Sequence, residues 1–250
     1  KAVRENMAIR WFCGFGLTEE TPDHTYFCKL RKRIGAKRIA DIFGHVNEIL
    51  KGHGLFGNVF TFIDASAIVS KTHLWKERDR AIAEGAETLN NANVEKYAKD
   101  KEARWGAKSK HTIWFGYKRH ESVDMRYGLI NKVAVTPANV PDQHLLGSLL
   151  PKQGMVFLDK LYDCASADMH IKARGCYAGT IRKNNNKAKI RDLDRWRSGV
   201  RMPFEGVFSK QKKRARYRGK VKVFMQCVFE ALCHNLKKAV RILPMEAVPI

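Results

Sequence analysis

The 250-residue chain is short of acid: 25 aspartates and glutamates face 47 lysines and arginines, leaving a formal net charge of +22. A balance of that sign disfavours basic partners and points to a polyanion, because each phosphate neutralised releases condensed counterions. The deficit is concentrated. Eight basic residues and no acid lie between Lys210 and Lys222, and eight face only Asp192 and Asp194 between Arg182 and Arg201. Neither run has the apolar stripe that would lay it on an anionic membrane. No apolar stretch is long enough to span a bilayer and no signal-peptide pattern is present, so a cytoplasmic protein is expected. The chain opens at Lys1 without an initiator methionine, which reads as a fragment. Six cysteines (Cys13, Cys28, Cys164, Cys176, Cys227 and Cys233) form no CxxC pair and, with nine histidines, no zinc-finger spacing. They read as buried thiols in a reducing cytosol. Internal repeats and low-complexity linkers are also missing. Hydrophobic content of 44% nevertheless suffices for one large core or two modest ones.

Within that basic chain, residues 59–66 (Val-Phe-Thr-Phe-Ile-Asp-Ala-Ser) are β-branched and aromatic and deliver one carboxylate, Asp64, near their end. Residues 155–159 (Met-Val-Phe-Leu-Asp) do the same with Asp159. Both runs are apolar on both alternating faces, as in strands at the middle of a covered sheet. Further strands are expected at 111–118, at 125–135 with Gly128 in a turn, and at 177–182. Helices are expected after Asn139 through Leu150, over 166–174, from Pro203 onward, and over 221–240 with Phe224, Val228, Ala231, Leu232, Leu236 and Ala239 on one face. Strand, strand, strand, helix, strand, helix, strand, helix is the order of a ribonuclease-H-like core: a mixed five-stranded sheet flanked by helices, α+β in class. In that topology the first and fourth strands are neighbours, which brings Asp64 to Asp159.

The flanking regions read differently. Residues 1–54 form a compact helical segment for DNA binding or dimerisation, with Ala8, Ile9, Trp11, Phe12 and Phe15 clustered. Ile39, Ile42, Phe43, Val46, Ile49 and Leu50 follow at helical spacing, and Gly52 and Gly54 end the helix. Residues 71–110 are polar and lysine-rich, and read as a partly mobile insertion into a core of 55–243 that buries little. Residues 244–250 are a tail.

An acid at the end of a covered strand is costly unless paired or bound to metal. Two such acids with a third on a helix suit a pair of Mg²⁺ ions, which prefer oxygen ligands and keep several waters. Asp163, close behind Asp159, competes with it for that role. Glu205 is the third candidate, although a first-turn acid is also what a helix dipole favours. Lys212 lies two turns beyond it on the same stripe and Arg201 precedes it by four residues. Acid and base together on one helix face are what a nuclease-like site would use.

These segments resemble a known family, the bacterial insertion-sequence transposases of the DDE type, closest to insertion-sequence family five. Asn6 to Gly14 and Pro22-Asp23-His24-Thr25 are similar to its N-terminal segment, and Phe62-Ile63-Asp64-Ala65-Ser66 to its first-acid strand. Trp105-Gly106 and the run from Trp114 to His120 resemble its second-strand motif, and Val135 to Asp142 the segment after its third strand. Leu158-Asp159-Lys160-Leu161-Tyr162-Asp163 resembles the second-acid motif, with Leu161 where the family has Gly; Asp159 fills the strand-end position. Arg201, Glu205 and Lys212 keep the spacing of the third-acid signature, with Ser198 where Tyr is expected.

The resemblance implies Mg²⁺-dependent hydrolysis at the ends of an element and attack of the freed 3′-hydroxyl on target DNA. Asp64, Asp159 and Glu205 would hold two Mg²⁺ ions, replaceable by Mn²⁺. Arg201, Lys212, Lys160, Lys213, Arg216 and Arg218 would contact DNA. The implied partners are double-stranded DNA, at terminal inverted repeats and at target, and a second copy in a homodimer, with no membrane. The implied location is the bacterial cytoplasm, at the nucleoid. An inactive or truncated remnant that only binds DNA is the alternative, and a structure-specific nuclease on the same core a third.

Overall fold

The structure, a computed structural model, describes residues 2–72, 74–209 and 211–243, with all their side chains except those of His24 and Phe27. The expected tail and Lys210 lie outside the described residues. Helices α1 (Ala2–Glu5) and α2 (Met7–Phe12) open the chain, α2 capped by the Asn6 side chain accepting from the Ile9 N–H. Helix α3 (His24–Gly52) begins where Asp23 accepts from the N–H groups of Thr25 and Tyr26, and breaks at Gly35, whose φ of +73° suits glycine. The compact N-terminal cluster is not formed. Neither α1 nor α2 contains a buried residue, and Trp11 and Phe12 are more than four-fifths exposed. Burial starts at Ile39 and Phe43, where the second half of α3 packs on the sheet domain.

Strand β1 (Phe60–Val69) leads to helices α4 (Trp75–Ala83) and α5 (Val94–Tyr97), then strands β2 (Arg104–Ser109), β3 (Thr112–Asp124) and β4 (Leu129–Pro137). Helix α6 (Leu146–Leu149), β5 (Met155–Leu158), α7 (Ala165–Ala173), β6 (Tyr177–Thr180), α8 (Arg191–Ser209) and α9 (Lys220–Ile242) complete the chain. The sheet has six strands, one more than expected, in the order β2-β3-β1-β5-β6 with β4 also on β3. Gly116 explains the extra strand. It pairs Val69 of β1 on one side and Arg104 of β2 on the other, so β2 occupies the edge that β4 takes further along β3. The sheet is thus five strands wide, and its outer edge is shared. A Cβ at Gly116 would stand 2.1 Å from the Ile68 carbonyl oxygen, so only glycine passes there.

The sheet is mixed, parallel from β1 through β5 to β6 and antiparallel elsewhere, as the ribonuclease-H-like reading requires. Alternation sorts its two faces. Ile63, Val156 and Leu158 face α6 and α7; Phe62, Val123 and Phe157 face α8, α9 and α3. Both faces are covered, in keeping with a β5 that is apolar throughout and a β1 whose polar side chains are only Thr61, Asp64 and Ser66.

Four further expectations need correction. Residues 71–110 are no loose excursion: Ala81, Leu89, Val94, Tyr97 and Ala103 bury against Ile68, Tyr117, Val223 and Cys227. Buried Asp100 ties this segment to its neighbours, accepting from Ser70 Oγ, Tyr117 OH and the Gly219 N–H at the head of α9. Pro203 does not start α8 but lies inside it; its missing N–H leaves the carbonyl four residues back, Gly199, without that partner. The buried face of α9 runs through Val223, Val228, Ala231, Asn235 and Ala239, leaving Leu236 exposed, because buried Asn235 bonds Asn47 and the Ile130 backbone. Of the cysteines, Cys176 and Cys227 are buried, whereas Cys13, Cys28 and Cys233 are exposed; all six are free thiols.

Candidate active site

Strands β1 and β5 pair in parallel through Phe60 with Met155, Thr61 with Val156 and Phe62 with Phe157. Each pair is 95 positions apart, the separation of Asp64 and Asp159, so the same register carried forward sets the two aspartates side by side. Both point to the face of Phe62 and Phe157, toward α8. Asp64 accepts the Ala65 N–H at 2.8 Å. Asp159 caps the short 3₁₀ turn at Lys160–Tyr162, accepting the Leu161 N–H at 2.7 Å.

Those single backbone bonds do not offset the desolvation. Burial pushes the Asp64 carboxyl up to about 6 against the Ala65 N–H, with Asp159 adding repulsion, Arg201 opposing it and Asp142 adding more. Asp159 is likewise raised, by burial first, while the Leu161 N–H and Arg201 hold it down. The site is short of positive charge.

Arg201 supplies what there is. It is almost fully buried on α8, its guanidinium 4.9 Å over the Phe62 ring, and it donates to Glu205 Oε1 at 3.0 Å. Its Nε and Nη1 are buried without a hydrogen-bond partner. Glu205 sits one turn further along α8, its side chain 54% exposed and turned to Arg201. Among the described residues no three His, Cys, Asp or Glu side chains are gathered closely enough to hold a metal ion. The structure therefore joins Asp64 to Asp159 and links Glu205 to them through Arg201.

The remaining expected contacts disperse. Lys160 is exposed beside Asp159. Lys212 is not on the Glu205 stripe, because α8 ends at Ser209; with Arg216 it lines a separate cleft against α3 and α9. The Lys213 carbonyl accepts the Val69 N–H and the Ala215 N–H returns to the Val69 carbonyl, so this segment closes the open edge of β1 beyond β5. Arg218 is exposed. Asp163 turns away from Asp64 and is saturated by Arg182, the Lys183 N–H and Asn186.

One acid was not singled out as a site residue. Asp142 acts electrostatically on both Asp64 and Asp159, and its partner is Lys118 at 2.8 Å, both side chains mostly buried. Its only sequence signal was the segment ending Val140-Pro141-Asp142, where it read as part of a helix cap. Helix capping and a buried ion pair use the same residue type, so the sequence did not separate them.

A family model described as "Transposase DDE domain" matches residues 56–236, which include both aspartates and Glu205. The chain belongs to the DDE transposases. A second family model, "Transposase domain (DUF772)", matches residues 1–33. The chain is also similar to the transposase for insertion sequence element IS1106 of Neisseria meningitidis serogroup B, 35% identical over 154 residues, 57% of this chain and 53% of that protein. It thus spans about half the length of that curated relative. No solved structure matches it.

Proposed function

We propose that this DDE transposase chain carries a divalent-metal site for phosphodiester cleavage and strand transfer on duplex DNA, with Asp64, Asp159 and Glu205 as ligands. The observation that carries this reading is the registered pair of half-buried carboxylates, Asp64 in the middle of β1 and Asp159 just past the end of β5, both raised and short of countercharge. The donor set fits: all three groups offer carboxylate oxygens, the hard ligands that Mg²⁺ and Mn²⁺ prefer. Two Mg²⁺ ions bound there would supply Lewis-acid stabilisation of charge on the attacking and leaving oxygens.

The protein's own part is positioning. Arg201 holds Glu205 on one side and keeps two buried donor nitrogens, Nε and Nη1, free near the acid pair, where a phosphate oxygen is a natural acceptor. Trading its carboxylate for a phosphate would release Glu205 to join the aspartates when substrate is present. Phe62 under the guanidinium restricts where it can swing. Asp142, neutralised by Lys118, sets the local field without adding a free charge.

The chemistry reads as that of an insertion-element transposase, acting as a homodimer on terminal repeats and target in the bacterial cytoplasm. The test is nicking and strand transfer on a labelled duplex carrying the element's end, with Mg²⁺ or Mn²⁺, beside Asp64→Asn and Glu205→Gln. Activity lost in both variants supports the assignment. Activity surviving Asp64→Asn overturns it, and DNA binding without nicking in the unaltered protein favours a remnant.

A further inference from the structure

The N-terminal arm, helices α1 and α2 with the loop that leads to α3, is built inside out. Its internal bonds are polar. The Arg10 guanidinium donates to the carbonyls of Gly16, at 2.6 Å, and Glu19; the Gly16 N–H donates to Glu19 Oε2 at 3.0 Å, and Arg4 Nε to Thr21 Oγ1 at 3.2 Å. Its apolar side chains face out. Met7 and Trp11 lie one turn apart on α2 and, with Phe12 and Leu17, are each about two-thirds exposed or more, in helices that bury no residue. Single exposed apolar residues are ordinary, but four large ones within eleven positions form a patch of the kind that marks an interface. The body of the chain does not cover it: the described side chains from Thr25 to Lys29, which join the arm to the rest of α3, are exposed as well.

A cleft of about 800 Å³ between α3, α9 and the segment that joins α8 to α9 has the matching character. Ile34, Phe229 and Cys233 give it an apolar wall, and Phe229 is 41% exposed there. Around them stand Arg31, Lys212, Arg216, Lys237 and Arg241, none in an ion pair among the described residues. The arm carries the opposite charge at its loop. Residues 14–23 hold Glu19, Glu20 and Asp23 and no base, in a chain of net charge +22. Asp23 is engaged as the cap of α3 and Glu19 with the Gly16 N–H, while Glu20 is exposed.

We propose that residues 7–23 of one copy seat in this cleft of a second copy, and that the exchange is reciprocal. Trp11 and Phe12 would cover Phe229 and its neighbours, and the acidic loop would meet the cationic rim. Each copy carries one arm and one cleft, so two such contacts close with two-fold symmetry and leave no arm or cleft unfilled. The inference rests on the homodimer reading of the proposed function and deepens it by naming the two surfaces that meet.

The experiment is sedimentation of the full chain, freed of nucleic acid and metal, over a range of protein concentration. An arm variant, Trp11→Ser/Phe12→Ser, and a cleft variant, Phe229→Ser/Lys237→Glu, should each dimerise about tenfold or more weakly, the scale of uncovering a large apolar side chain. An equal mixture of the two should dimerise more tightly than either alone, because the mixed dimer keeps one intact arm against one intact cleft. Lys237→Glu/Arg241→Glu, confined to exposed positions, repeats the cleft arm of the test if the loss of Phe229 disturbs folding. In a Cys28→Ser background, Cys13 beside the arm's aromatic pair and Cys233 in the cleft remain as exposed thiols. A short bismaleimide should then join Cys13 of one copy to Cys233 of the other, at the mass of a dimer. A dimer that survives both variants, or a mixture no tighter than its parts, overturns the proposed surfaces and leaves the homodimer standing. A monomer at every concentration overturns both. A link formed within one chain means that the arm folds onto its own cleft, and overturns the exchange. Asp64→Asn should dimerise like the unaltered chain, so failure of the active-site reading leaves this one intact.

Discussion

Asp159 and Asp163 are four residues apart and meet opposite fates. Asp163 is also desolvated, but the Lys183 N–H, Arg182 and Asn186 outweigh that burial and hold its carboxyl down to about 2. Asp159 and its neighbour Asp64 have one backbone bond each, repel one another and are raised. Asp163 stabilises the loop that carries Arg182 to Asn186 into α8. The other two cost stability, which fits the ligand role proposed for them. A partly desolvated acid left without enough countercharge is the better candidate for a ligand than one already satisfied.

The contrast can be broken most directly through activity. Asp159→Asn should lower metal-dependent nicking by about 10³-fold or more, the scale of losing several kcal/mol of metal stabilisation. Asp163→Asn should leave nicking per folded molecule nearly unchanged. If the two variants lose activity equally in a single-turnover assay, the division of roles fails.

Stability should divide the same residues in the other direction. Asp163→Ala strips a partner from Arg182, Asn186 and the Lys183 N–H, and denaturant unfolding should show a loss on the order of 2–4 kcal/mol. Asp64→Asn removes a charge that the fold resists, and should raise stability by on the order of 1–3 kcal/mol at pH 8 without added metal. A destabilised Asp64→Asn would mean that its carboxylate is already compensated.

Acid sharpens the comparison through its sign. Asp64 is raised from 3.8 to about 6, so the folded protein binds more protons between those values and its stability rises as pH falls through the window. The gain of Asp64→Asn over the unaltered chain should therefore shrink from pH 8 and vanish near pH 4. Asp163 has the opposite linkage: its contribution is complete above about 4 and is lost as pH falls toward 2. Melting curves of both variants across pH would show the two slopes. The smallest expected effect is on Arg201→Gln, which removes an opposing positive charge and should raise the Asp64 carboxyl further, by a fraction of a pH unit in carboxyl-resolved NMR.

What the chain reports about itself locally is which faces are buried. The apolar runs ending in Asp64 and Asp159 were legible as doubly covered strands, and α7 and the second half of α3 were legible from their spacing, because each pattern records burial along a single element. Strand β2 was hidden, since Arg-Trp-Gly-Ala-Lys-Ser has no clean alternation and exists as a strand only by pairing with β3. The start of α8 was masked by its own charge and by Pro203, because a helix that buries one narrow stripe against Phe62 and Phe157 leaves most of its positions polar. Partner choice was beyond local pattern altogether. Asp142 with Lys118, Arg201 with Glu205, Asp163 with Arg182 and Lys212 with the α3–α9 cleft are decided by sheet register and by where helices dock. A side chain's charge is written in the sequence; the charge it meets is set only when distant segments close around it.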